Sequence, residues 1–224
     1  MTRPGPRSLV LFAALLLPAC EGCELLTGPE HQIRRELKRL GQEGYRGEGL
    51  EADFDLAISA IRIQGERAEV FARVDVEGSY RGSEVSCICV ERFFLRRGEA
   101  GWELEGFPLA RLAGVTDALE ARRQAFEAQD VEAYGRLLGP GYGGAPAERD
   151  EALARLAKIL SGSGTVRQEI RRRVLRIEAR KAQVTEEFRF VFELEGQSPR
   201  IEEGRAAYVL EPTNDGWRFE SGLL

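Results

Sequence analysis

Three residue types are close to absent from this chain, which has one histidine, one methionine and, beside 29 arginines, three lysines. The lone histidine, His31, lies in a polar stretch near the N-terminus, so a histidine-based general acid or base has no candidate in the rest of the chain. Cys23, His31, Cys87 and Cys89 lack the paired spacings of a zinc site, so no metal is expected. Positive charge is not in excess either: the formal net charge is -5, which leaves no electrostatic footprint for nucleic acid. Gly139 to Gly144 has neither the lysine nor the hydroxyl residue of a phosphate-binding loop. Gly162-Ser163-Gly164 lacks the outer glycines of a nucleophile elbow. No motif for a cofactor remains, and none is expected.

Long apolar runs are also missing, with one exception. Leu9 to Leu17 is unbroken and apolar, far short of the roughly 20 residues that a spanning helix needs. Arg3 and Arg7 precede it and small Ala19 closes it, which is the grammar of an export leader. Leu17, Ala19 and Cys20 resemble the lipobox of bacterial lipoproteins, with Pro18 replacing the usual small residue. That resemblance implies cleavage after residue 19, diacylglyceryl on the Cys20 sulfur and a polypeptide held at a lipid bilayer. Each buried methylene contributes about 0.8 kcal/mol, so two or three chains hold firmly where one does not. Glu21 is not the aspartate that commonly retains such proteins in the inner membrane, which favours the outer membrane of the cell envelope.

Without residues 1–19 the chain keeps 205 of its 224 residues, enough for one large domain or two of about 100. Apolar residues at 43% beside charged residues at 31% fit a folded body. Residues 20–29 read as a short lipidated tether. Glu30 to Leu40 has Ile33, Leu37 and Leu40 at helical spacing, with Arg34, Arg35, Lys38 and Arg39 on its other face, a solvated face or one that meets anionic headgroups. From Leu50 to Phe107 the period becomes two and glycines punctuate it, predicting an antiparallel meander of about four strands. Pro108 to Gly114 reads as a connector. Helices are expected from Val115, with Asp117 and Glu120 as a capping box, from Asp130 as N-cap, and from Asp150 as N-cap with Leu153, Leu156 and Leu160 inward. Strands follow to the end.

Ile61-Arg62-Ile63 is echoed by Leu175-Arg176-Ile177, Glu69-Val70 by Gln183-Val184, and Gly101-Trp102-Glu103-Leu104-Glu105 by Gly216-Trp217-Arg218-Phe219-Glu220. The offset is 114 for the first two and 115 for the third, which reads as a duplication. The expected organisation is α+β in two cone-like units, residues 30–109 and 115–224, each with helices packed on a bent antiparallel sheet. The first unit lacks the leading helices of the second.

The second unit carries Ala125, Phe126, Ala128 and Asp130, then Tyr134, Leu137 and Leu138, in the pattern Ala-Phe-x-Ala-x-Asp followed by Tyr-x-x-Leu-Leu. With three helices leading into a long bent sheet, it resembles the nuclear transport factor two superfamily. The resemblance implies the cone fold shared by ketosteroid isomerases and polyketide cyclases. Phe188, Phe190 and Phe192 lie on one strand face, too much apolar surface to leave in water. The pocket that a curled sheet encloses is the default binding site, and Phe126, Tyr134, Tyr142, Glu186 and Phe188 are its candidate lining.

No pair of acids and tyrosines stands out by spacing, so no catalytic residue is assigned, and Glu186 is expected at a strand end reaching solvent. The basic stretch Arg167, Arg171, Arg172, Arg173, Arg176, Arg180 and Lys181 is expected to alternate across both sheet faces, neutralised by Glu186, Glu187, Glu193 and Glu195. Cys87 and Cys89 face the same side of a strand. A bridge from Cys23 to either, a strained bridge between the two, and buried free thiols all remain open. The function these observations favour is a non-catalytic envelope lipoprotein that binds a small apolar ligand or another envelope protein. An isomerase- or cyclase-like enzyme is the alternative, and a structural spacer or assembly factor is a third.

Overall fold

The period-two segments pair into one twisted sheet of nine strands. The structure, a computed structural model, describes residues 28–222 except 48, 107, 163 and 194–197. The leader, Cys20 and Cys23 lie outside the described residues. The strands are β1 (Tyr45–Gly47), β2 (Leu50–Gln64), β3 (Arg67–Tyr80), β4 (Ser83–Gly98), β5 (Gly101–Glu105), β6 (Val166–Ile177), β7 (Ala182–Phe192), β8 (Arg200–Thr213) and β9 (Gly216–Ser221). They run in the order β1-β2-β3-β4-β6-β7-β8-β9, with β5 also paired to β4. Every pairing is antiparallel except β4 with β6, where Glu84 to Cys89 lie parallel to Arg172 to Ile177. This parallel seam joins the two sequence units into one sheet. Tight turns fix the hairpin registers: Arg81 and Gly82 both take positive φ between Tyr80 and Ser83, as a type I′ turn requires, and the glycine meets that demand without strain.

Four helices cover one face of the sheet: α1 (Pro29–Glu43), α2 (Ala110–Glu127), α3 (Val131–Arg136) and α4 (Pro146–Ser161). In α1, Ile33 and Leu37 are buried on the predicted stripe, while His31, Arg34, Arg35, Lys38 and Arg39 are exposed. Arg39 is paired with Glu36 and Glu43 along the helix. The stop after α2 is a Schellman motif, with the Asp130 amide donating to Ala125 and the Gln129 amide to Phe126. Asp130 then serves as N-cap of α3 as expected, accepting from the Ala133 amide at 2.8 Å. The end of α3 is stitched to β9 by Gly139 and Phe219 backbone groups. One hydrophobic core runs beneath all four helices, from Leu50 and Val70 in the first unit to Phe190 and Phe219 in the second.

The α+β class is as expected, with helices on a bent sheet, and three local expectations need correction. Helix α2 begins at Ala110, inside the stretch read as a connector, because Gly114 is no breaker here. A Cβ on Gly114 would stand 3.0 Å from the Trp217 ring, so glycine lets the helix approach β9. Asp117 is therefore mid-helix and accepts from the Tyr80 hydroxyl at 2.7 Å instead of capping. Helix α4 starts with Pro146 at its first turn, a position that suits proline's fixed φ, and leaves Asp150 one turn inside. Leu156 and Leu160 are buried as expected, and Leu153 packs partly buried against the same core.

Candidate functional site

Beneath α2, on the concave face of the second unit, five polar side chains are buried together: Arg122, Tyr134, Arg173, Glu186 and Tyr208. Arg122 arrives there because it falls on the inward stripe of α2 with Leu119, Ala125 and Phe126. Arg173 arrives through a bulge. The pairing of β6 with β7 slips between Ile170 and Arg172, so the inward set passes from Val166, Gln168 and Ile170 to Arg173, Leu175 and Ile177. Arg173 then lies directly across from Glu186 of β7. Tyr208 projects from β8 beside them and Tyr134 from α3.

Glu186, 0% exposed, is the centre of the group. One carboxylate oxygen accepts from Arg122 Nη2 at 2.7 Å and the other from Arg173 Nε at 2.8 Å. The Arg122 guanidinium lies over the Tyr208 ring, 4.4 Å from its centroid, a cation–π contact in a desolvated setting. Burial pushes the hydroxyls of Tyr208 and Tyr134 above their ordinary range, against the pull of the Arg122 charge. Both phenols therefore stay protonated and are hydrogen-bond donors. The Tyr134 hydroxyl stands beside the Arg122 guanidinium and the Tyr208 hydroxyl beside the Glu186 carboxylate. Among the described residues, Arg122 Nε and Nη1, Arg173 Nη2 and both tyrosine hydroxyls have no hydrogen-bond partner. Arg173 Nη2 is 3.8 Å from Glu120, which itself is shared with Arg123 at the half-exposed edge of α2.

The structure brings two of the sequence-predicted site residues, Tyr134 and Glu186, into this cluster. Phe126 packs on Phe190, 5.0 Å between ring centroids, and belongs to the core beside it. Phe188 is half-buried on the same strand face as Glu186, its ring 4.5 Å from that of Phe190. Tyr142 is buried in the short turn before α4. The expectation that Glu186 reaches solvent is wrong, since two guanidiniums from 64 and 13 positions away enclose it. Of the basic stretch only Arg173 faces inward, where it pairs with Glu186 as expected, while the other six are exposed, and Arg171 and Arg172 find other partners. Arg171 pairs with Glu203, Arg172 with Glu84 across the parallel seam, and Glu187 with Arg205. Sequence reasoning missed Arg122, Arg173 and Tyr208.

A second buried acid lies in the first unit. Glu91 of β4 is 2% exposed and accepts from the Leu112 amide in the first turn of α2 at 3.3 Å. Burial raises its carboxyl to about 7, against the lowering effect of the helix amides and Arg111. Cys87 and Cys89 face the same side of β4, buried and free. Beside Cys87, and with burial, the Cys89 thiol is pushed far up, which makes it unreactive. Among the described residues no group of three or more histidines, cysteines or acids is placed to hold a metal ion, and no helix is long and apolar enough to cross a membrane.

No protein-family model matches the chain, and no curated protein is similar to it. Solved structures with a similar arrangement include a proposed dehydratase of the NTF2-like family from Streptomyces avermitilis, 20% identical, covering 51% of this chain and 95% of that one, with a TM-score of 0.46. An NTF2-like superfamily protein from Salmonella enterica is 12% identical over 50% of this chain and 88% of its own, with a TM-score of 0.45. A proposed scytalone dehydratase from Novosphingobium aromaticivorans is 12% identical over 51% of this chain and 82% of its own, also at 0.45.

Proposed function

We propose that this chain is a lipid-anchored binding protein of the bacterial cell envelope, holding a small ligand on the concave face of its second unit without transforming it. The tether rests on the leader and Cys20, and two or more acyl chains there would keep the folded body at a membrane surface. The binding role rests on one observation: a buried, donor-rich polar cluster that the architecture itself does not require.

The matched registers of the two units support that statement. Ile61 pairs with Val70 and Leu175 with Val184, both members displaced by 114 positions; Leu95 pairs with Leu104 and Leu210 with Phe219, both displaced by 115. We read the units as duplicates on this basis. Under the same displacement Glu186 corresponds to Ala72 and Tyr208 to Phe93, both buried in an apolar core. The matching hairpin holds one buried acid, Glu91, and no buried guanidinium, so burying three ions in the second has a cost that folding does not explain.

Catalysis by Glu186 is the competing reading, because a buried acid beside two tyrosines is what an isomerase-like site would present. Both of its oxygens already accept from guanidiniums, and taking a substrate proton would mean breaking one of those ion pairs. Native mass spectrometry of the full chain released from membranes in mild detergent tests the binding role. A retained small molecule, lost on denaturation and unchanged in mass after incubation, is the expected result. A molecule that the protein converts would overturn the non-catalytic reading.

A further inference from the structure

Strand β2 gives the first unit an edge that is closed at one end and open along the rest. At the closed end β1 pairs with it from Leu50 to Ala52, and Arg46 Nη1 donates to the Ala52 carbonyl. Helix α1 follows: a Cβ on Gly41 would stand 2.8 Å from the Phe54 carbonyl oxygen. Beyond Phe54, among the described residues, no strand lies along the outer side of β2. Leu56 to Ile61 has no charge, proline or glycine, and an uncharged open edge of that kind is a template for another strand. We infer that a second copy of this chain supplies it: two β2 edges pair antiparallel about a two-fold axis, and the sheet continues from one copy into the other.

The register follows from the faces of β2. The pairing with β3 slips at Ser59, so Asp55 and Ala57 before the bulge share the outward face with Ala60 and Arg62 after it, while Leu56, Ile58 and Ile61 point to the core side. Residues directly opposite in an antiparallel pair lie on the same face. With the bulged Ser59 of each copy set aside, Ile58 meets its own counterpart at the axis, Ala57 meets Ala60, Leu56 meets Ile61 and Asp55 meets Arg62. Sliding two positions one way runs the ladder into α1 at Phe54. Sliding two positions the other way sets Arg62 against Ala57.

Charge and space agree with this register. Within one copy Asp55 stands directly opposite Asp75, a like-charge pair that destabilises a sheet. The Arg62 side chain is 68% exposed and reaches Glu69 only at 3.8 Å. Pairing brings a guanidinium to Asp55 and a carboxylate to Arg62, twice in each dimer. Between α1 and the β2 edge runs an open groove of about 390 Å³, lined by Arg34, Lys38, Phe54, Leu56 and Ile58 among others. Ile61, half-buried in one copy, falls at the other copy's groove because it lies opposite Leu56. The axis is normal to the sheet, so both copies of α1 lie on the same side of it.

Sedimentation velocity of the full chain in mild detergent tests the pairing, and wild type should show a concentration-dependent dimer. Asp55→Arg sets arginine against Arg62, and Arg62→Asp sets acid against Asp55. Each should raise the dimer dissociation constant about tenfold or more, because two attractive cross-strand pairs become repulsive. The double variant Asp55→Arg/Arg62→Asp restores opposite charges across the axis and should return the constant to within about threefold of wild type. In Ala57→Cys/Ala60→Cys the two positions lie roughly 10 Å apart along one strand, too far for a bridge within a copy, yet face each other between copies. Mild oxidation should therefore give a covalent dimer that wild type does not, a readout independent of the charge variants. A chain that stays monomeric at roughly 100 μM, a dimer indifferent to the single changes, a double variant no tighter than the singles, or a cysteine pair that fails to cross-link would overturn the inference.

Discussion

Changing Glu186 to glutamine tests whether the buried cluster is paired in the way the distances state. The substitution keeps shape and volume and removes one charge, leaving Arg122 buried without a counterion and Arg173 with only Glu120, 3.8 Å away. Breaking a buried pair by removing one partner costs about 3–5 kcal/mol, because the remaining charge cannot return to water. In a folded body of this size each kcal/mol moves Tm by roughly 2–4 °C, so the drop should be roughly 6–20 °C. The neighbouring control is Glu187→Gln, on the opposite face of the same strand and paired with a largely exposed Arg205. Exposed pairs contribute about 0–1 kcal/mol, so that variant should unfold close to wild type. A third chain, Arg122→Met/Arg173→Met/Glu186→Leu, removes the whole network and should unfold within about 1 kcal/mol of wild type or later, as hydrophobic replacement of buried ions commonly does. Differential scanning calorimetry and urea unfolding of the four proteins decide the matter. If Glu186→Gln unfolds within about 1 kcal/mol of wild type, Glu186 is not enclosed by unscreened charge and the reasoning fails.

Glu91 makes stability depend on pH. Its folded carboxyl, at about 7, lies above the ordinary 4.5, so its contribution is fully present below about pH 4.5 and is lost as pH rises through about 7, by at most about 3 kcal/mol. Glu91→Gln should flatten the urea-unfolding profile between those limits, and an unchanged slope would refute the assignment. Cys20→Ala should accumulate uncleaved precursor that takes up no labelled palmitate; undiminished labelling would end the lipid-anchor proposal. Cys87 and Cys89 should resist Ellman's reagent in the native protein and react in urea under non-reducing conditions. Failure to react in urea would mean that they are bridged.

Much of the fold was legible because periodicity reports burial directly. The inward stripe of α1, the Asp130 cap and the meander up to β5 follow from residue spacing alone. What escaped did so for identifiable reasons. Pro108 to Gly114 reads as a connector because proline and glycine bound it, while Gly114 in fact lies inside α2 and admits the Trp217 ring. Glu186 could be placed on the face of Phe188, but burial depends on what lies opposite, and Arg122 comes from a helix 64 residues earlier. Arg122 did carry a signal, since it stands on the apolar stripe of α2 at the spacing of Leu119 and Phe126. Arg173 carried a misleading one. Strict alternation from Val166 and Gln168 puts Arg172 inside, and only the bulge at Arg171 exchanges the two. A one-residue slip reverses which face a strand shows, and nothing in the local sequence of β6 marks where it occurs.

The two buried acids show how one helix answers to both units. In the first hairpin pair Ala72 lies opposite Glu91, and at the matching position in the second Glu186 lies opposite Ala206. Each hairpin thus holds one buried carboxylate at this cross-strand position, carried by β4 in the first and β7 in the second, in each case the strand nearer the parallel seam. Both are met by α2 through different chemistry. Its first turn offers a backbone amide to Glu91, where the positive end of the helix dipole favours negative charge, and its middle offers Arg122 to Glu186. Tyr80 and Arg81 of the first unit hold Asp117 between those two points. Helix α2 is therefore fixed to β4 at its start and to the candidate site at its centre.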